Sequence, residues 1–210
     1  MNGQEKRGAH GGDSDAITRA FVRNVVLPWW TASGLLDWYW HRRTHIERTA
    51  GAHESMTHLL MATEGGVAAL GPLIFETNAT LIGIVTAAAV AHEATVVWDV
   101  AYAKSRRKIG QYEQHTHSFM EVLPFVTAAF LVFMYPREAA DLVGLSPDTP
   151  RRGLRLKHDP RPLQSVAVVA ACGLLGIAPH VEEFIRCLRF DPTLAPQAGH
   201  AERRRGEEDS

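Results

Sequence analysis

Three stretches of this sequence, LIGIVTAAAVAHEATVVWDVAYA, SFMEVLPFVTAAFLVFMY and SVAVVAACGLLGIA, each approach the length of apolar chain that crosses a bilayer. Backbone placed in lipid has no water to bond to and must satisfy its own N–H and C=O groups, which a helix does within one segment. The expectation is an all-α fold, a multi-pass transmembrane helical bundle of about four or five spans with an added N-terminal interfacial helix. A soluble bundle with a long apolar core is the alternative, and a detergent requirement for extraction separates the two.

From Asp15 to Leu27, Ile17, Phe21, Val22 and Val25 fall on one helical face and Arg19 and Arg23 on another, as in a helix lying at a membrane interface. Pro28 then marks a kink or a new start. The first bundle helix, PWWTASGLLDWYWHRRTHIER, carries Trp29, Trp30, Trp38, Tyr39 and Trp40, an interface belt. Its apolar part is short, so it is shallow, tilted or extended backwards past Pro28. A second helix runs from Glu54 to Phe75, with small residues that permit close packing. The third follows a brief loop at Glu76–Asn78, the fourth spans Gln111 to Tyr135 and the fifth Pro162 to Arg189. The Pro-, Gly- and Arg-rich segment between the last two is expected to lack regular structure, and to cover a site or touch lipid headgroups.

The tails, 1–14 and 191–210, are rich in Gly, Pro, Arg and Glu and are expected to be disordered and solvated, leaving one membrane domain over 15–190. With 22 Lys+Arg against 23 Asp+Glu the chain shows no nucleic-acid footprint. No apolar stretch with a cleavage site follows the charged N-terminus, which argues against a secretory signal. Cys172 and Cys187 are too far apart along one helix to bridge within it and are read as buried or inert thiols. Arg42, Arg43 and Arg48 lie between the first and second helices, and Lys104, Arg106, Arg107 and Lys108 between the third and fourth, which places those loops in the cytoplasm. The basic segment between the fourth and fifth helices then falls outside, against the same rule.

The 11 histidines are the compositional anomaly. Asp37, His41 and His45 are spaced i, i+4, i+8 on the first helix, and Glu113, His117 and Glu121 repeat the device on the fourth. Glu54 and His58 stand at i, i+4 on the second helix, His92 and Asp99 at i, i+7 on the third. Counted inward from the connecting loops, Asp37, His41, His58, Asp99, His117 and Glu121 share one slab roughly 8 Å thick, at ~1.5 Å per residue. His45, Glu54 and Glu113 sit nearer the loops, and His92 deeper. Ionisable groups in apolar surroundings are costly unless they neutralise one another or bind a cation. The bland reading is a buried polar network or a solvated rim of helix ends. Imidazole and carboxylate ligands suit Fe, Mn or Zn, and the set exceeds what one tetrahedral zinc uses, so two metal ions are expected, with iron first. Glu93 is a candidate second partner for His92. His53 and His115 are expected to point elsewhere, and Tyr39, Tyr102 and Tyr112 to border the region as interface anchors.

On these residues the chain resembles the integral-membrane, histidine-rich di-iron oxygenases, the class that includes fatty-acid desaturases, alkane hydroxylases and sterol or carotenoid hydroxylases. The shared features are a few spanning helices, HxxxH at His41–His45 and further histidine clusters at cytoplasmic helix ends. HxxHH boxes are absent, and Asp37, Asp99 and Glu121 stand where that class relies chiefly on histidine. The resemblance implies O₂-dependent hydroxylation or desaturation of an apolar or lipid-like substrate, fed by an electron donor protein. The residues also admit a zinc-activated water attacking a lipid amide or ester, a transit or storage site for metal, and a haem held by paired histidines, which the carboxylates count against.

Overall fold

The computed structural model describes residues 3–145, 153–158 and 162–190. Among the described residues seven α-helices follow one another: α1 (Gly3–Phe21), α2 (Leu27–Thr44), α3 (Gly51–Ile74), α4 (Ala79–Lys104), α5 (Gln111–Met134), α6 (Pro136–Leu142) and α7 (Pro162–Arg189). No strand occurs among the described residues, where the nearest approach to one is an isolated antiparallel bridge between Phe75 and Leu156. The C-terminal tail, 191–210, lies outside the described residues.

α1 does not stop at Pro28. It passes through a π-helical stretch, Val22–Val26, directly into α2. Proline lacks an N–H and its ring crowds the carbonyl one turn back; widening the helix just ahead of Pro28 relieves both problems without breaking the rod. The helix starts at Gly3, inside the segment expected to be a tail, and the expected interfacial helix is the middle of this longer rod. Its Ile17 and Val25 are exposed, while Thr18, Val22 and Val26 are buried, with Thr18 hydrogen-bonded to the Tyr135 hydroxyl at 3.0 Å.

The long helices close a ring in which α2 touches α7, α7 touches α3, α3 touches α4, α4 touches α5, and α5 returns to α2. Trp30 wedges α2 into this ring. Its indole lies in a notch formed by Gly65 and Gly66 of α3 and Gly176 of α7, and a Cβ at Gly176 would overlap the ring atoms. The small residues of the second helix thus serve close packing, as their composition implies. Apolar core residues fill the ring away from the α2–α3 and α4–α5 turns: Val22, Val26, Leu27, Trp30, Ala69 and Leu123 in one cluster, Leu81, Ile82, Val85, Ala128 and Leu131 in another.

Outside the ring the surface is strongly apolar, with Val90, Val97, Trp98, Val122, Phe133 and Leu174 exposed. Apolar residues facing out and charges facing in reverse the order of a water-soluble bundle and mark a membrane protein. Three helices, Ala79–Lys104, Gln111–Met134 and Ser165–Arg189, are long and apolar enough to cross a bilayer. α2 and α3 fall short of that measure, so apolar length among the described residues supports three of the expected four or five spans; both helices carry charged groups that they turn inward, Asp37 and His41, Glu54 and His58.

Where it is described, the segment after α5 holds regular structure that its composition does not suggest. Pro136 begins α6, where its missing N–H is one of the donors a helix leaves unused. Residues 153–158 cross the α3–α4 turn, with Glu76 N–H bonded to Arg155 O at 2.8 Å and Lys157 N–H to Ile74 O at 2.9 Å. Lys157 pairs with Asp15, so part of the segment's positive charge is neutralised within the fold.

If the outward apolar surface meets lipid, membranes carrying the chain will keep it through an alkaline carbonate wash and release it only into detergent; release by carbonate would refute a spanning arrangement. Gly176→Ala should cost about 1–3 kcal/mol through overpacking against Trp30, read as a lower melting midpoint in detergent. Gly173→Ala, where the added carbon meets only Leu70 at 4.0 Å, should leave the midpoint unchanged or raise it.

Candidate metal centre

The polar end of the ring is where the α2–α3 and α4–α5 turns meet the last turns of α7. Each helix delivers charge to it because residues four apart share a face. α2 supplies Asp37 and His41, α3 supplies Glu54 and His58, α4 supplies Asp99, and α5 supplies Glu113 and His117; all but His117 are essentially solvent-free. The His41 and His58 rings stack with centroids 4.3 Å apart, and the His117 ring lies 6.1 Å from each.

Carboxylates surround these three imidazoles. Asp37 Oδ1 is 2.7 Å from His117 Nε2, and its Oδ2 is 3.5 Å from His41 Nδ1. His41 Nε2 lies 3.1 Å from Glu113 Oε1, and His58 Nε2 lies 3.2 Å from Asp99 Oδ2. The Thr57 hydroxyl donates to the other oxygen of Asp99, fixing that carboxylate. Candidate donor atoms fall within 4.8 Å of one another in three overlapping groups: Asp37, His41, His58 and His117; His41, Glu54 and Glu113; Glu54, His58 and Asp99.

α7 adds what the sequence reading overlooked. Glu183 is fully buried at the edge of the stacked rings, with Oε2 3.0 Å from His41 Nδ1 and Oε1 3.4 Å from His58 Nδ1. His180, one turn earlier, is buried against Gly34, where a side chain would meet its Nε2 at 3.4 Å. The signal was there as His-x-x-Glu at i, i+3, a spacing that di-metal bundles use in the order Glu-x-x-His.

By its position in the sequence Arg107 is a loop charge. It is instead folded inward, its side chain 4% exposed, with Nε 3.1 Å from Glu54 Oε1, Nη1 2.9 Å from Glu113 Oε2, and Nη2 in contact with both carboxylates. Burial works against its charge, but the bonds from Glu113 and Glu54 outweigh that and hold its pKa above the ordinary arginine value.

The remaining expected residues divide. His92, Asp37, His58, Asp99, His117 and Glu121 line a 20 Å³ cavity closed on its other walls by Met61, Val96, Val100 and Met120. That is room for about one water or one ion. Glu64 of α3, not the expected Glu93, approaches Nδ1 of His92, at 3.6 Å. His45 is excluded from the cluster. α2 ends at Thr44, and His45 takes a left-handed backbone (φ 55°) that turns its 58%-exposed side chain out to Glu47 at 3.2 Å. His53 stacks on Tyr102 and His115 packs edge-on to Phe119, both away from the centre. Cys187 is buried and Cys172 partly so, and both are unpaired.

No known protein family, curated protein or solved structure matches the chain, so the site is read on its own chemistry. Asp37, Glu54, Asp99, Glu113 and Glu183 bring five buried carboxylates together and Arg107 is the one guanidinium among them, which leaves four negative charges for other cations to balance. Two divalent ions match that excess, as do one ion and two imidazolium groups. Asp37 Oδ2, buried, lacks a hydrogen-bond partner, which is the condition of a ligand atom facing a cation position.

Glu183 touches two imidazoles at once, so Glu183→Gln should weaken Fe(II) binding by about 10- to 100-fold, the usual effect of losing a ligand's orienting carboxylate. The neighbouring Glu182→Gln, on the rim with Trp38 and Arg42, should bind as wild type in the same anaerobic titration.

Proposed function

We propose that this chain is a membrane-embedded di-metal oxygenase, with iron as the first candidate metal, that hydroxylates or desaturates an apolar, bilayer-dissolved substrate. The observation that carries the reading is the gathering of five buried carboxylates and three imidazoles from five helices, beside a cavity of single-ion size that Asp37, His58, Asp99 and His117 line. Mixed oxygen and nitrogen donors on a helical bundle suit iron or manganese better than copper, and thiolate plays no part.

In this reading Asp37, His58, Asp99 and His117, which line the cavity, hold one ion, and His41, Glu54 and Glu113, whose donor atoms lie within 4.8 Å of one another, hold the other. Iron bound there would supply the redox chemistry and the open position for O₂. The protein's own groups prepare the place. Glu183 accepts from His41 and His58 and fixes which ring nitrogen is left to face inward. Thr57 holds Asp99, and Met61, Val96, Val100 and Met120 keep the cavity wall apolar, which excludes water from the reacting centre. Two of the three apolar spans, α4 and α5, contribute to that wall, so a substrate dissolved in lipid would approach between them. Electrons would come from a separate donor protein docking on the loop side. The basic residues of the α2–α3 and α4–α5 turns support a cytoplasmic side for it, facing inward from a bacterial-type inner membrane if the source is prokaryotic.

Metal analysis of protein purified without oxygen tests this directly. Wild type should carry about two irons per chain, Asp99→Ala and His117→Ala should lose them, and His45→Ala should keep them. Unchanged metal in the first two variants would refute the site. Zinc in place of iron, with no redox-active spectrum, would move the chain to metal-assisted hydrolysis, and a Soret band would make it a haem protein.

A further inference from the structure

Arg107 comes from a loop otherwise open to solvent, yet its guanidinium lies at the most acidic point of the interior. Its Nη2 touches Glu54 Oε1 and Glu113 Oε1, the position from which a single cation would bridge those carboxylates. The third ligand for such a cation is in place as well: His41 Nε2 is buried and lies 3.1 Å from the same Glu113 oxygen. His41, Glu54 and Glu113 therefore form a three-ligand metal position whose occupant here is a tethered arginine side chain.

We propose that Arg107 is an exchangeable plug: it holds the second metal position closed, and that position fills only when the guanidinium swings out to the loop side. This rests on the di-metal reading and adds an order to it. At Glu54 and Glu113 the guanidinium leaves one of two negative charges unbalanced, whereas a divalent ion balances both, so the exchange gains electrostatically in a low-dielectric site. The Asp37–His58–Asp99–His117 position needs no such exchange and loads first. The hinge is short and outside the helices, because Arg107 sits between the end of α4 at Lys104 and the start of α5 at Gln111, and Arg106 beside it already points outward over the Tyr102 ring.

The metal-stripped, full-length protein in detergent is titrated anaerobically with Fe(II). Wild type should bind one ion tightly and a second at least about tenfold more weakly; Arg107→Gln should tighten the second by about tenfold or more with the first unchanged. Arg107→Lys, which keeps the plug's charge, should behave as wild type. Because Arg107→Gln leaves two buried carboxylates facing each other and can impair folding, a second measurement uses wild type alone. Phenylglyoxal labelling, read by peptide mass spectrometry, should spare Arg107 in stripped protein and after one equivalent of Fe(II), then modify it after the second, with Arg106 labelled throughout as the internal standard. Labelling of Arg107 that is independent of metal, or second-site binding unmoved in Arg107→Gln, overturns the plug while leaving the metal centre standing. Absence of any bound ion in wild type and variant overturns both.

Discussion

Uncompensated negative charge at one end of an apolar helical ring is the constraint on which the rest of the structure depends. Five carboxylates cannot sit among Leu81-like neighbours without cations, and each device at the polar end serves that need: imidazoles from three helices, a guanidinium drawn in from a loop, a hydroxyl from Thr57. The apolar half of the ring is conventional by comparison. Its work is to hold five helices close enough that side chains from all of them reach one point, and the glycine notch around Trp30 shows how that closeness is obtained.

Much of this was legible from helical periodicity. Asp37 with His41, Glu54 with His58 and Glu113 with His117 each repeat at four residues, and the alternating direction of successive helices brings those pairs to the same end. What periodicity could not supply was the point where a helix stops. His45 continues the stripe of Asp37 and His41 on paper, but the left-handed turn at its own backbone carries it outside.

The two missed contributors failed for different reasons. Glu183 lies past the apolar core of α7, a helix read as a plain span, and its role depends on α7 packing between α2 and α3, a neighbour relation that local sequence does not encode. Arg107 was assigned to topology because basic loop residues usually report sidedness. Its inward fold depends on Glu54 and Glu113 meeting across the α4–α5 turn, and loop composition carries no trace of that. The segment after α5 illustrates the converse, since the Pro136 that suggested irregular chain is the residue that starts α6.

The placement of Glu183 also has a bearing on biogenesis. During synthesis α2 to α5 emerge well before α7, and in that interval His41 and His58 are together without the carboxylate that orients both. The donor set becomes complete only when the latest of these helices docks against Trp30 and Gly34, so ion capture would report that insertion has finished, and a nascent chain stalled before α7 would expose histidines that hold metal poorly.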